Sequence, residues 1–183
     1  MKQPGAYQLR FAVRDADTEH IGSASEFVEV PEVDKGMRLA VSGLVAAGYE
    51  PPPPAGAAGA IGTAEDYEPN PELSPAVRRF RRGTRMDFGY VIYNARTDKS
   101  TGRPRLMTQV RLFRDGKQVF ASDAEPFDPG TQIDLKRLTA TGRLRLGGDL
   151  TPGEYLLQVI VTDALAPERE GTVTQWTDFE IVG

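Results

Sequence analysis

The densest run of chemistry-bearing side chains is VRRFRRGTR, which brings Arg78, Arg79, Arg81, Arg82 and Arg85 together. Guanidinium groups are rigid forks of donors, so the run is a candidate site for phosphate, an anionic polysaccharide or an acidic protein partner. The competing expectation is a solvated lead-in to a strand, with Phe80 as its one inward anchor and the arginines balanced by distant acids. Most charge runs are solvated faces, and this expectation is favoured. Asp15, Asp17 and Glu19 in RDADTEH alternate as calcium ligands can, but the segment has neither the turn glycine nor the further oxygens of a calcium loop. A polar loop is expected there, with His20 an exposed turn residue. Trp176, Tyr93 and Tyr67 could stack on sugar rings if two of them shared a flat face. For Trp176 the default is packing within the closing strand.

What is missing narrows the chemistry further. The 183 residues include no cysteine and one histidine, which excludes disulfides, Cys-ligated zinc, iron–sulfur clusters and multi-histidine metal sites. No GxSxG, HExxH, Walker loop or GxGxxG occurs. The expectation is a non-catalytic protein without metal or cofactor. A formal net charge of −4 gives no general attraction to nucleic acid. No stretch approaches the eighteen or so apolar residues of a membrane span, and MKQPGAYQLR has no apolar run of the signal-peptide kind. If the chain is a piece of a longer one, that last observation carries nothing.

The elements that must position these residues announce themselves through a repeat. PGAYQLRFAVRDA from Pro4 and PGEYLLQVIVTDA from Pro152 agree at 7 of 13 positions: Pro4/Pro152, Gly5/Gly153, Tyr7/Tyr155, Leu9/Leu157, Val13/Val161, Asp15/Asp163 and Ala16/Ala164. Unrelated segments of that length agree at about one position, so the similarity is internal duplication. Each copy continues into a second extended run, Ala24 to Val30 in the first and Thr174 to Val182 in the second. Both therefore read as antiparallel hairpins. Tyr155, Leu157, Val159 and Val161 share one face, as do Tyr7, Leu9, Phe11 and Val13, and Pro-Gly turns the chain into each strand.

Between the copies lie further strand-like runs at Met37 to Val45, Arg85 to Ala95, Leu106 to Arg114, Lys117 to Ala121 and Arg143 to Leu146. Asp115-Gly116 between two of them is a strong signal for a type I′ hairpin turn. Asp134 to Leu138 is read as at most one helical turn. With 19 glycines and 14 prolines in turns and loops, this pattern predicts an all-β chain. The expected fold is an antiparallel β-sandwich of the immunoglobulin or fibronectin type III kind, with an additional N-terminal β-hairpin. About seven strands are expected in the sandwich, and Tyr155 is placed to bond back to upstream backbone from the start of the penultimate strand.

Residues 35–183 are thus read as a complete sandwich, with the Pro/Ala/Gly-rich segment 50–75 as an extended loop. Residues 1–34 are read as the closing hairpin of a preceding sandwich plus a linker, VPEVDKG. An isolated hairpin is marginal in water. Tyr7, Leu9, Phe11 and Val13 are therefore expected to be buried against the following sandwich or against a second copy of the chain, which would make a dimer.

Taken together, PGAYQLRFAVRD, YVIYNAR and DLTPGEYLLQVIVTD resemble the C-terminal part of the von Willebrand factor type A-related (VWFA-related) proteins of acidobacteria, over nearly all of the chain outside 50–75. The resemblance implies a β-rich module of a large, exported adhesion or surface-assembly protein, located in the periplasm or outside the cell. Its partners would be proteins or neighbouring domains of the same chain, with polysaccharide as an alternative. The family's metal site uses DxSxS, which is not present here, so no metal residue carries over.

Overall fold

The computed structural model describes residues 3–30, 38–49 and 70–183. The linker at 31–37 and most of the Pro/Ala/Gly-rich segment, 50–69, lie outside the described residues. Twelve strands are described: β1 (Gly5–Arg14), β2 (Ile21–Val30), β3 (Ala40–Val41), β4 (Val45–Tyr49), β5 (Arg79–Arg81), β6 (Arg85–Tyr93), β7 (Leu106–Arg114), β8 (Lys117–Ala121), β9 (Glu125–Phe127), β10 (Arg137–Arg145), β11 (Gly153–Asp163) and β12 (Thr172–Val182). Among the described residues no helix is long and apolar enough to cross a membrane.

β3 to β12 build an all-β sandwich. Its smaller sheet runs β10-β6 and then β3 and β4, both paired to β6. Its larger sheet runs β5-β12-β11-β7, with β8 and β9 both paired to β7. All pairings are antiparallel except β5 with β12, which run parallel. Strict alternation selects the inner faces. Met86, Phe88, Tyr90 and Ile92 of β6 meet Tyr155, Leu157, Val159 and Val161 of β11 in one buried cluster. Leu138 and Ala140 join from β10, and Phe179 and Ile181 from β12.

The strands anticipated at 106–114 and 117–121 are found with those bounds, and Asp115 (φ 50°) and Gly116 (φ 73°) both take the left-handed conformation of the type I′ turn between them. Four expectations need correction. The run at 37–45 is broken into β3 and β4, because an extra residue between them makes a bulge against β6. There Ser42 donates its N–H to Val91 O and accepts from Val91 N through Oγ, both at 2.9 Å. At 134–138 there is no helix but a turn, with Arg137 N–H bonded to Asp134 O at 3.2 Å, and β10 begins at Arg137 rather than Arg143. The short strands β5 and β9 were not expected, so the sandwich has ten described strands rather than about seven.

The tyrosine expectation is met: Tyr155 Oη donates to Thr151 O at 2.8 Å. The N-terminal hairpin repeats the device, since Tyr7 Oη donates to Gln3 O, and Gly5 (φ 147°) matches Gly153 (φ 140°) in backbone conformation. β1 and β2 pair in register over ten residues, from Gly5↔Val30 to Arg14↔Ile21. Among the described residues they pair with nothing else. The apolar row is not buried against the described sandwich: Phe11 is 60% exposed and Val13 71%.

Burial has a consequence for alkaline stability. Enclosure in the core pushes the Tyr90 phenol up to about 12, from an ordinary value of 10. The folded value lies above the unfolded one, so this contribution is complete below pH 10 and is lost as pH rises through 12. Denaturant midpoints measured from pH 9 to 12 should fall over this window, and Tyr90→Phe should flatten that fall. An unchanged slope in the variant would contradict the assignment.

Candidate functional site

The arginine run is divided by the fold between two sheets. A turn at 70–78 ends with Arg78 in the left-handed region (φ 54°), and its carbonyl accepts from Glu180 N at 2.9 Å. The Arg78 guanidinium spans the junction: Nε donates to Asp178 O at 2.8 Å, Nη1 to Pro75 O at 2.7 Å, and Nη2 to the Asp178 carboxylate at 3.0 and 3.2 Å. Arg79 binds Glu180 at 2.8 Å and Glu72 at 3.3 Å. Phe80, fully buried, points inward and meets the edge of Phe179 with ring centres 5.9 Å apart. Arg85 lies on the small sheet and pairs with Asp87 at 3.1 Å, which Arg143 also grips at 2.8 Å.

Two of the five candidates remain uncommitted. Arg81 and Arg82 are exposed, with no ion-pair partner among the described residues. Arg145 stands directly opposite Arg85 in the sheet register, so any anion at this end would meet positive charge from two strands. Arg78 and Arg79 instead fasten β5 to β12. The Arg79 pairs with Glu72 and Glu180 are more than 40% exposed on both partners, so Arg79→Ala should cost less than about 1 kcal/mol in urea unfolding. A loss above 2 kcal/mol would mean that the pairs, rather than Phe80, hold the strand.

The aromatics do not meet the condition set for sugar stacking, that two of them share a flat face. Tyr93 lies on β6 of the small sheet and Trp176 on β12 of the large one, so they share no face, and Tyr67 lies outside the described residues. Trp176, 45% exposed, instead touches Phe113 of β7 with ring centres 5.5 Å apart. Gln158, level with Arg111 and Trp176 on the neighbouring strands, is 7% exposed; its Oε1 and Arg111 Nε are enclosed without a hydrogen-bond partner among the described residues. Leu156 on the same outward face is 43% exposed. Phe113 was missed in the sequence because the Leu112-Phe113 pair hides which of the two faces out. The inward parity of Val110 and Leu112 is the signal that assigns it.

The acidic loop is self-contained. Asp15 Oδ1 accepts from the N–H groups of Asp17 at 2.7 Å and Thr18 at 3.1 Å, and these bonds hold its carboxyl below the ordinary carboxylate range. Glu19 binds Arg14 at 3.0 Å, and His20 is exposed. The equivalent aspartate of the second copy, Asp163, is buried and caps its own hairpin loop, accepting from Arg96 N at 2.8 Å and Leu165 N at 2.9 Å. No cluster of three or more His, Cys, Asp or Glu side chains suited to a metal is found among the described residues.

No family model matches the chain, and a search of curated proteins finds no relative.

Proposed function

We propose that this chain is an interaction and spacer module of a larger protein, working through its surfaces rather than through bond chemistry. The observation that carries the reading is the contrast between two hairpins of one design. β11–β12 is sealed into a core, whereas the corresponding row of β1–β2 is uncovered among the described residues, with Phe11 and Val13 exposed and Tyr7 and Leu9 half-buried. Exposed apolar rows of this kind mark surfaces that meet another molecule or module. The resemblance to the C-terminal part of VWFA-related proteins supports an adhesive or surface-assembly role. It also supports a periplasmic or extracellular location. A photo-crosslinking residue placed at Val13 in the organism that makes the protein should give one discrete adduct. Absence of any adduct would overturn the interaction reading.

A second reading, a carbohydrate-binding module, is favoured by one observation: the half-exposed Trp176 ring beside Phe113 on the outer face of the large sheet. Aromatic faces stack on sugar rings. In affinity electrophoresis against neutral and anionic polysaccharides this reading requires retardation that Trp176→Ala removes. Unchanged migration across the panel would exclude it.

A further inference from the structure

The paired strands of the two hairpins correspond position by position through their registers, and the match extends beyond the sequence identity that reveals it. In β11–β12 the residues that enter the core are Tyr155, Leu157, Val159, Val161, Phe179 and Ile181. Register places Gly153 opposite Ile181 and Tyr155 opposite Phe179, just as Gly5 stands opposite Val30 and Tyr7 opposite Val28. The corresponding six positions in β1–β2 are therefore Tyr7, Leu9, Phe11, Val13, Val28 and Val30, and all are apolar. The tyrosine-to-backbone bond and the positive-φ glycine recur at matching positions. Even the changes compensate. Phe11 stands where the sandwich has Val159, and Val28 where it has Phe179, so one ring is added and one removed.

What covers such a face is visible in the second copy, where the inner surface of β3, β4, β6 and β10 packs on it. The dimensions of the hairpin exclude the simplest alternative. A face of ten residues on two strands measures roughly 34 by 10 Å. Two such faces packed together would bury on the order of 700 Å², short of the 1,200 Å² or so of a stable association. A cover tethered in the same polypeptide needs no such area, because tethering supplies an effective concentration of about millimolar.

We infer that β1–β2 is the closing pair of another sandwich, and that its apolar row docks on the inner face of a β6/β10-like half-sandwich belonging to a neighbouring module of the same polypeptide. The inference deepens the interaction reading and rests on it. Residues 1–30 then fasten one module to the next, with Tyr7, Leu9, Phe11, Val13, Val28 and Val30 inside the neighbour's core.

Two measurements test this. In the 183-residue chain at micromolar concentration, sedimentation should show a monomer, and hydrogen exchange should run about a thousandfold or more faster in β1 than in β11. In a full-length swap, a second copy of residues 4–30 replaces residues 152–181. The transplanted strand should then gain protection to within about tenfold of native β11, with cooperative unfolding. A companion swap carrying Phe11→Val and Val28→Phe restores the native ring positions in case the first packs poorly.

The inference is overturned if β1 in the monomeric chain is as protected as β11, or if neither swap protects it. It is also overturned if the chain dimerises and Phe11→Asp disperses the dimer, since the occupant is then a second copy. A crosslink from Val13 to a protein without a β-sandwich would likewise exclude this partner while leaving the interaction reading intact.

Discussion

Replacing Gly142 by valine should destabilise the sandwich by about 3 kcal/mol, a drop of roughly 10 °C in Tm. Gly142 stands opposite Phe88 in the β6–β10 register, and the Phe88 ring lies across the space that a side chain would occupy. A Cβ built at Gly142 would sit 2.1 Å from Phe88 Cζ and 2.7 Å from both Cε atoms. Phe88 stacks at 5° on Tyr90, with ring centres 6.4 Å apart, and is itself 5% exposed, so it has little room to retreat. The backbone of Gly142 is in the ordinary extended region, which makes contact rather than torsion the cause. Denaturant unfolding of Gly142→Val, Phe88→Leu and the double variant checks this. The double variant should recover some of the loss, since the two residues share one space. Additive losses would show that the ring does not lie over the glycine.

Phe80→Ala should cost about 3–4 kcal/mol, the range for deleting a fully buried ring. β5 is only three residues long, and of its two outer residues only Arg79 makes ion pairs among the described residues, both of small worth. The Phe80 ring against Phe179 is therefore the contact that seats the strand. Hydrogen exchange should show protection lost first at Arg79–Arg81 and at the paired end of β12. A loss below 1 kcal/mol would mean that the strand is held by its arginines after all. Together with the small effect expected for Arg79→Ala, this pair of variants assigns the segment's stability to its one apolar residue.

The regions of this fold that could be read in the sequence are those where local pattern and tertiary environment agree. β7 and β11 carry apolar residues at alternate positions, and β8 follows from Asp115-Gly116, chemistry specific to one turn. β10 was foreseen only at its end, because Ala140 and Gly142 are inward residues too small to register as an apolar row. Their smallness is dictated by Phe88 on the next strand, which no local window contains. β5 and β9 are too short to carry a period. Similarly, the arginine run is obvious as a run, but Asp178 and Glu180, about a hundred residues away, come to it only through the parallel pairing of β5 with β12. The tyrosine bond was legible because both of its ends lie within five residues of chain.

That parallel pairing has a mechanical meaning under the proposed spacer role. β5 and β12 point the same way, so tension applied ahead of β5 and beyond β12 pulls the two strands past each other along their length. The ladder Arg79–Arg81 against Glu180–Val182 is then loaded in shear, with its hydrogen bonds resisting together. An antiparallel hairpin pulled at its open end would instead unzip, losing its bonds in succession. The buried Phe80 ring sits at the middle of the ladder, so the same residue that seats the edge strand also stands at the point where the module would bear load.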